Sequence, residues 1–452
     1  MLEHFFPKAL CTAVLASALN CAAEPVPCDL DPLLTIPTNW EMTPDVFEKT
    51  YTNESNKLFV WLTADRTRAK LSRSIYRNAE IALTAFEGEV PVQEVIADFA
   101  DGKLNLVTLS IFNRGDGGAI TGDEFSERFT ATGKAVGKLL GTAPRRKDAD
   151  PNSGLLTAGY SWYSQKTGTA VLEHNEKAMT GGDREFLRLR IARPGAKGSL
   201  AASMTSSRGG SATRLRDLPD NVTKSDDGDV LISNLPMVDQ GDKGYCVVAS
   251  AQRVFEYYGI GADMHQIAQI ANADPNRGTS TLTMAQELDK IDYRFKTRLE
   301  IIGMLSTGGG LTEVDVKKGQ YLVGDPVDER KFLKEIRSYV DKGLPLLWAL
   351  ELGRYPEKPQ LSPQTAGGHM RMIIGYNDKD EEVIFSDSWG AGHEAKKMKM
   401  SDCYKASHGL FVLKPTVHGA GSPIACARCR AILHLRTPVD HRAARIFLVC
   451  PG

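Results

Sequence analysis

Residues 240–249 read QGDKGYCVVA and place Gln240, Gly241, Gly244 and Cys246 just ahead of the run VVASAQRVFEYYG, whose spacing predicts a helix up to Gly259. A cysteine opening a helix is favoured as thiolate, because the unpaired N–H groups and the dipole there attract an anion. Gly241 and Gly244 allow a tight turn beside the thiol. Gln240 can aim its side-chain N–H at a developing oxyanion, next to the Cys246 backbone N–H. Such a nucleophile needs a base and a group to orient it. His369 follows two glycines and leads the strand-like GGHMRMIIGYN, and Asp387 ends the strand-like VIFSDSWG. Cysteine, histidine and aspartate are the members of an acyl-transfer triad, in which the imidazole activates the thiol and the carboxylate fixes its tautomer.

These residues resemble the papain-like cysteine peptidases, whose pattern is Gln-Gly with Cys six after the Gln, then a His leading a strand that ends in Gly-Tyr, then Asn-Ser-Trp-Gly. Here the matching positions are Gln240, Gly241 and Cys246, then His369 with Gly375 and Tyr376, then Asp387, Ser388, Trp389 and Gly390. The resemblance implies an oxyanion donor at Gln240, the nucleophile at Cys246, the acid/base at His369, the orienter at Asp387, and a packing lid over the His–Asp hydrogen bond at Trp389. Two positions depart from the pattern. Val247 stands where a Trp is usual, and Asp387 replaces the usual Asn, as in the bacteriocin-processing branch of the superfamily. A carboxylate there is expected to hold the imidazolium more strongly than an amide and to extend activity to higher pH.

The elements that must position these groups lie within residues 229–415. VLISNLPMVDQG delivers an extended strand to the Cys246 turn. ADMHQIAQIAN and TSTLTMAQELDKID read as further helices, capped by Asp263 and by Ser280 or Thr281. DERKFLKEIRSYVDKGLP is another amphipathic helix, and LLWALEL and GLFVLKP are strands flanking the two that carry His369 and Asp387. Helices first and an antiparallel sheet afterwards is α+β, and the resemblance implies a two-lobed papain-like domain with the active site in the cleft between lobes. His265, His393 and His408 compete for the role of base but lead no comparable strand, so they read as surface or capping residues.

Residues 24–194 read as a separate α+β domain with an antiparallel sheet and one helix from Phe125 to Leu140, with Thr121 or Asp123 near its cap. VPVQEVIADFA and KLNLVTLSIF flank Asp101-Gly102, a hairpin signal. No catalytic constellation is visible there; His174 reads as a solvated side chain, and the GDGG at 115–118 as a plain turn. Residues 195–228, rich in Gly, Ser and charge, read as a flexible linker and a natural place for a processing cut. The tail, 416–452, is arginine-rich and carries Cys426, Cys429, His434, His441 and Cys450, with a single CxxC that suits a disulfide or a disordered tail better than a zinc knuckle.

The chain has 452 residues, 42% of them hydrophobic and 25% charged, with a formal net charge of −1. That balance suits roughly two or three globular domains and gives no sign of nucleic acid or an anionic membrane as partner. Residues 1–23 resemble a secretory signal peptide cleaved after Ala23, so a secreted or periplasmic location is expected, and no later apolar run is long enough to span a bilayer. The function implied is a secreted cysteine peptidase acting on a polypeptide substrate, with no metal or organic cofactor needed. Deamidation or acyl transfer on the same triad, or a non-catalytic binding protein, are the alternatives.

Overall fold

The computed structural model describes residues 24–416 apart from 55, 74–79, 151–155, 199–200, 202–203, 205–214, 242, 272, 274–279, 318–319 and 362–365, together with 424–425 and 432–433. The expected signal peptide over 1–23, and the tail residues Cys426, Cys429, His434, His441 and Cys450, lie outside the described residues.

In the first half of the chain the sharpest local signal sits at Asp101-Gly102. Both residues have positive φ, 54° and 72°, as the turn between two adjacent antiparallel strands requires, and they close the hairpin of Glu94–Ala100 with Lys103–Asn113. These strands sit inside an eight-stranded antiparallel sheet that also contains Arg68–Ser72, Thr157–Ser164, Gly168–Asn175 and Phe186–Ala192. The helix Gly122–Leu140 starts where the Thr121 hydroxyl accepts the Glu124 N–H at 3.2 Å. It buries Phe125, Val136 and Leu140 in a core shared with one face of that sheet.

His174 departs from its expected solvated setting. It is 5% exposed, its ring meets Phe125 and Phe129 edge-on, and its Nδ1 lies 2.8 Å from the Asn175 carbonyl. The helix laid over the strand end buries it, and burial pushes its pKa down.

Side-chain alternation explains how the two halves meet. Along Phe186–Ala192, Leu187, Leu189 and Ile191 enter the core, so Arg188 and Arg190 point to the opposite face. An isolated antiparallel sheet would leave that face to water. Both arginines are instead 4% exposed, held by the buried Glu173, and Arg188 also reaches Asp263 of the second half. Further along the seam, Arg68 pairs with Glu256 at 2.9 Å and Lys70 donates to the Asp239 carbonyl at 3.1 Å. Charges this deeply buried are tolerated only with partners in place, so paired charges hold the seam.

The second half has its own hydrophobic core and a ten-stranded sheet whose pairs are all antiparallel. The strand Gly367–Asn377 lies between Leu346–Leu352 and Glu382–Ser386, and it is buried on both faces. Helices Cys246–Tyr257 and Thr281–Asp292 pack against the sheet and Met264–Ala271 packs on both of them; Asp263 and Ser280 accept the Gln266 and Thr283 N–H groups at 2.9 and 3.2 Å. Part of the segment read as a linker is built into this half: Leu215–Asn221 is a short 3₁₀ helix with Leu218 fully buried, and Val222–Lys224 pairs with Asp229–Ile232.

Helices with largely antiparallel sheets make the fold α+β, consistent with a papain-like arrangement. Among the described residues, no helix is long and apolar enough to cross a membrane.

Candidate active site

The turn before the nucleophile is set by backbone conformation. Gly241 has a φ of 65°, a left-handed value that L side chains rarely adopt, and its N–H donates to Asp239 Oδ1 at 2.9 Å. Asp239 forms an isolated antiparallel bridge with Trp389, and the Gln240 N–H donates to the Ser388 carbonyl at 2.9 Å. The chain leading to Cys246 is thereby stitched to the chain leaving Asp387. From the other side, Lys243 donates to Asp116 at 2.7 Å, and Tyr245 packs so closely on Gly115 that a Cβ there would lie 2.8 Å from the Tyr245 hydroxyl. The GDGG segment of the first half therefore braces the turn.

Cys246 is the first residue of its helix and is 7% exposed. Burial alone would raise the thiol pKa. The hydrogen bond with His369, the charge of that imidazole and the backbone at Met370 and Val247 outweigh burial and hold the thiol below its ordinary range.

His369 is buried on the strand Gly367–Asn377, opposite Leu350. Its Nε2 lies 3.2 Å from Asp387 Oδ1, and its ring stacks on Trp389 with centroids 4.4 Å apart and planes 14° apart. Burial pulls the imidazole pKa down, but the hydrogen bonds with Asp387 and Cys246 prevail, and it sits above its ordinary value.

The two shifts converge on a thiolate–imidazolium pair. Activity is expected to rise with pH as the thiol ionises below its ordinary range, and to fall as His369 loses its proton above its ordinary range. A pH profile of kcat/KM checks this; an acid limb at the value of a free thiol would contradict it.

Asp387 is fully buried and is not a lone charge. Oδ1 also accepts from Arg371 Nε at 2.7 Å, and Oδ2 accepts from Lys396 Nζ at 3.2 Å and lies 3.8 Å from His393 Nδ1. Arg371 and Lys396 both continue to the buried Glu357, Arg371 at 2.7 Å. Burial raises the Asp387 pKa; the hydrogen bond from His369, the neighbouring His393 ring and the Arg371 charge overcome it and hold the carboxyl well below the usual range.

Gln240, 6% exposed, has both ends of its amide engaged: Oε1 accepts from Ser388 Oγ at 2.6 Å and Nε2 donates to the Lys243 carbonyl at 2.9 Å. An amide nitrogen carries two hydrogens, and the Lys243 bond uses one of them.

The structure places Cys246, His369 and Asp387 against one another and fixes Gln240 beside them through Ser388 and Lys243. Among the competing histidines, His265 is buried beside Glu94 at 3.8 Å rather than at the surface, because the first half covers it; His408 faces Glu351 at 3.5 Å. His393 sits edge-on to Trp389, with centroids 5.5 Å apart. Arg253, Glu357, Arg371 and Lys396 were not foreseen. For the two arginines a signal was present: each is a charge inside an otherwise apolar run, and such a charge is seldom fully buried unless paired.

A family match supports the papain-like resemblance for this part of the chain. Residues 232–411 match the Peptidase_C39 like family. Xylellain, a cysteine protease from Xylella fastidiosa, aligns at 15% identity over 47% of this chain and 94% of that chain, with a TM-score of 0.23. No curated protein matches the sequence.

Proposed function

We propose that the chain is an exported cysteine peptidase that hydrolyses peptide bonds through Cys246, His369 and Asp387, with Gln240 in the oxyanion hole. The observation that carries this reading is the Cys246 thiol at a helix N-terminus, held below its ordinary pKa by the His369 imidazole, whose Nε2 lies 3.2 Å from the buried Asp387 carboxylate. The Cys246 thiolate attacks the carbonyl carbon, and the C=O electron pair moves onto oxygen. The second Gln240 amide hydrogen and the Cys246 N–H receive that charge. His369 passes its proton to the leaving amine as the C–N bond breaks. Water, giving a proton back to His369, then attacks the thioester and releases the acid.

Residues 24–194, which have a hydrophobic core of their own, form a separate domain in this reading, and the later part of 195–228, from Leu215, belongs with the peptidase domain at 229–415. Residues 1–23 direct export. The family match favours hydrolysis of polypeptides over deamidation, acyl transfer or binding alone.

The test is labelling under reducing conditions with the thiol-directed epoxide used for papain-like enzymes, read by intact mass. Wild type is expected to gain one inhibitor mass and Cys246→Ala none. A wild type that stays unlabelled and cuts no peptide in a library would overturn the proposal.

A further inference from the structure

The papain-like pattern calls for a neutral amide where this chain has Asp387, and the surroundings supply a reason. His369 and Arg371 are two apart on one strand, so both side chains reach the same face, and both meet Asp387 Oδ1. Lys396, from the strand Lys396–Lys399, closes on Oδ2, and Glu357 ties the far ends of Arg371 and Lys396 together. Phe385 lies under both cations, 4.5 Å from the Arg371 guanidinium carbon and 5.7 Å from Lys396 Nζ. Asp387, Glu357, Arg371 and Lys396 are all nearly inaccessible, so their charges must balance among themselves.

We propose that Asp387 is an aspartate because Arg371 and Lys396 are buried against it, and that its charge, spent on them, leaves it to act on His369 as a neutral orienting acceptor would. Arg371 and Lys396 are then positioning residues. This rests on the peptidase reading, in which His369 carries the proton. Two carboxylates meet two cations, and an asparagine at 387 would leave one buried cation in excess.

Other charges also face the group. From the Cys246 helix, Arg253 donates to the Asp387 carbonyl and feels the charges of Asp387, Glu394 and Glu256. His393 approaches Oδ2 from its loop, and the Cys246 thiol faces His369 from the other side. Cys403 lies near Arg371 with its thiol pushed up by burial, so it stays neutral.

The test is a charge-swap cycle of Asp387→Asn, Lys396→Met and the double variant, read by melting midpoint and by the pH profile of kcat/KM. Asp387→Asn alone is expected to lower the midpoint by about 5 °C. It should also cut kcat/KM above neutral pH by roughly tenfold, with the alkaline limb moved down, because the excess cation opposes the imidazolium. The double variant restores the balance and should recover at least half of both losses. Lys396→Met alone leaves the carboxylate in excess and should move the alkaline limb up.

A double variant no better than Asp387→Asn overturns the inference. So does an unmoved alkaline limb in Lys396→Met, which is informative even if the asparagine variants do not fold. An inactive wild type would instead sink the peptidase reading, and the melting comparison would still decide the charge balance.

Discussion

Cys246→Ala is expected to lower kcat/KM on a peptide substrate by a factor on the order of 10⁴ or more while leaving the fold intact. The loss is that large because the remaining groups act through the sulfur. His369 is held above its ordinary pKa partly by the thiolate, and Gln240 and the helix N–H groups have charge to stabilise only once a nucleophile has attacked. Without sulfur the site can still bind and polarise a carbonyl, which accounts for residual activity but not for turnover. The structural cost is small: one buried sulfur is removed from the start of a helix packed by Val247, Val248 and Ala249, and the cavity term is about 1 kcal/mol. Steady-state kinetics on a fluorogenic peptide beside thermal melting checks both halves of the expectation. Residual activity within tenfold of wild type would mean that another group performs the attack.

The residues of this site were legible where local geometry alone writes the pattern. A nucleophile at a helix start, glycine at a turn with φ of 65° and an Asp-Gly hairpin each leave a signature a few residues long. The strands beyond Asp292 left a weaker one: Leu311–Lys317 and Gln320–Pro326 form a hairpin next to Thr297–Leu305, yet their alternation is broken by Gly324 and by a register shift between Thr312 and Val314. The seam between the halves could not be read at all. Leu187, Arg188, Leu189 and Arg190 alternate as they would on a half-solvated strand, and only the second half of the chain, distant in sequence, turns the arginine face into an interior. His174 and His265 were misplaced for the same reason, since both are buried by elements that no local window contains. Asp387 shows the limit most sharply. Its identity was visible, but its electrostatic setting depends on Lys396, which reaches it from another segment of the chain, and on Glu357, which ties Lys396 to Arg371.

Arg253→Met should destabilise the protein by about 3 kcal/mol, the largest stability effect expected of a single side chain at this site. Arg253 lies seven residues after Cys246, two helical turns on, so it projects from nearly the same face of the helix about 10 Å further along. Its Nε donates to the Pro236 carbonyl at 2.7 Å, one Nη to the Asp387 carbonyl at 2.9 Å and the other to Ser386 Oγ at 2.7 Å. One planar fork thus ties the nucleophile helix to the segment entering its turn and to the end of the strand Glu382–Ser386 that leads into Asp387. Two effects of the substitution oppose each other. Burial depresses the guanidinium pKa to about 10, so replacing it with an apolar side chain removes a desolvation cost, and buried ion pairs are often replaced at little loss for that reason. The partners decide the sign. They are mainly backbone carbonyls, which cannot leave the interior, and each one orphaned costs about 1–3 kcal/mol. Ser386 keeps a second bond, to the His393 carbonyl at 3.0 Å, so its loss is the smaller part. Arg253→Lys should recover only a fraction, because one ammonium group cannot span three acceptors arranged for a fork. Denaturant unfolding would show the midpoint falling with the slope unchanged. A loss below about 1 kcal/mol in Arg253→Met would mean that the carbonyls find other donors and that the helix and the Asp387 strand are held together by packing alone.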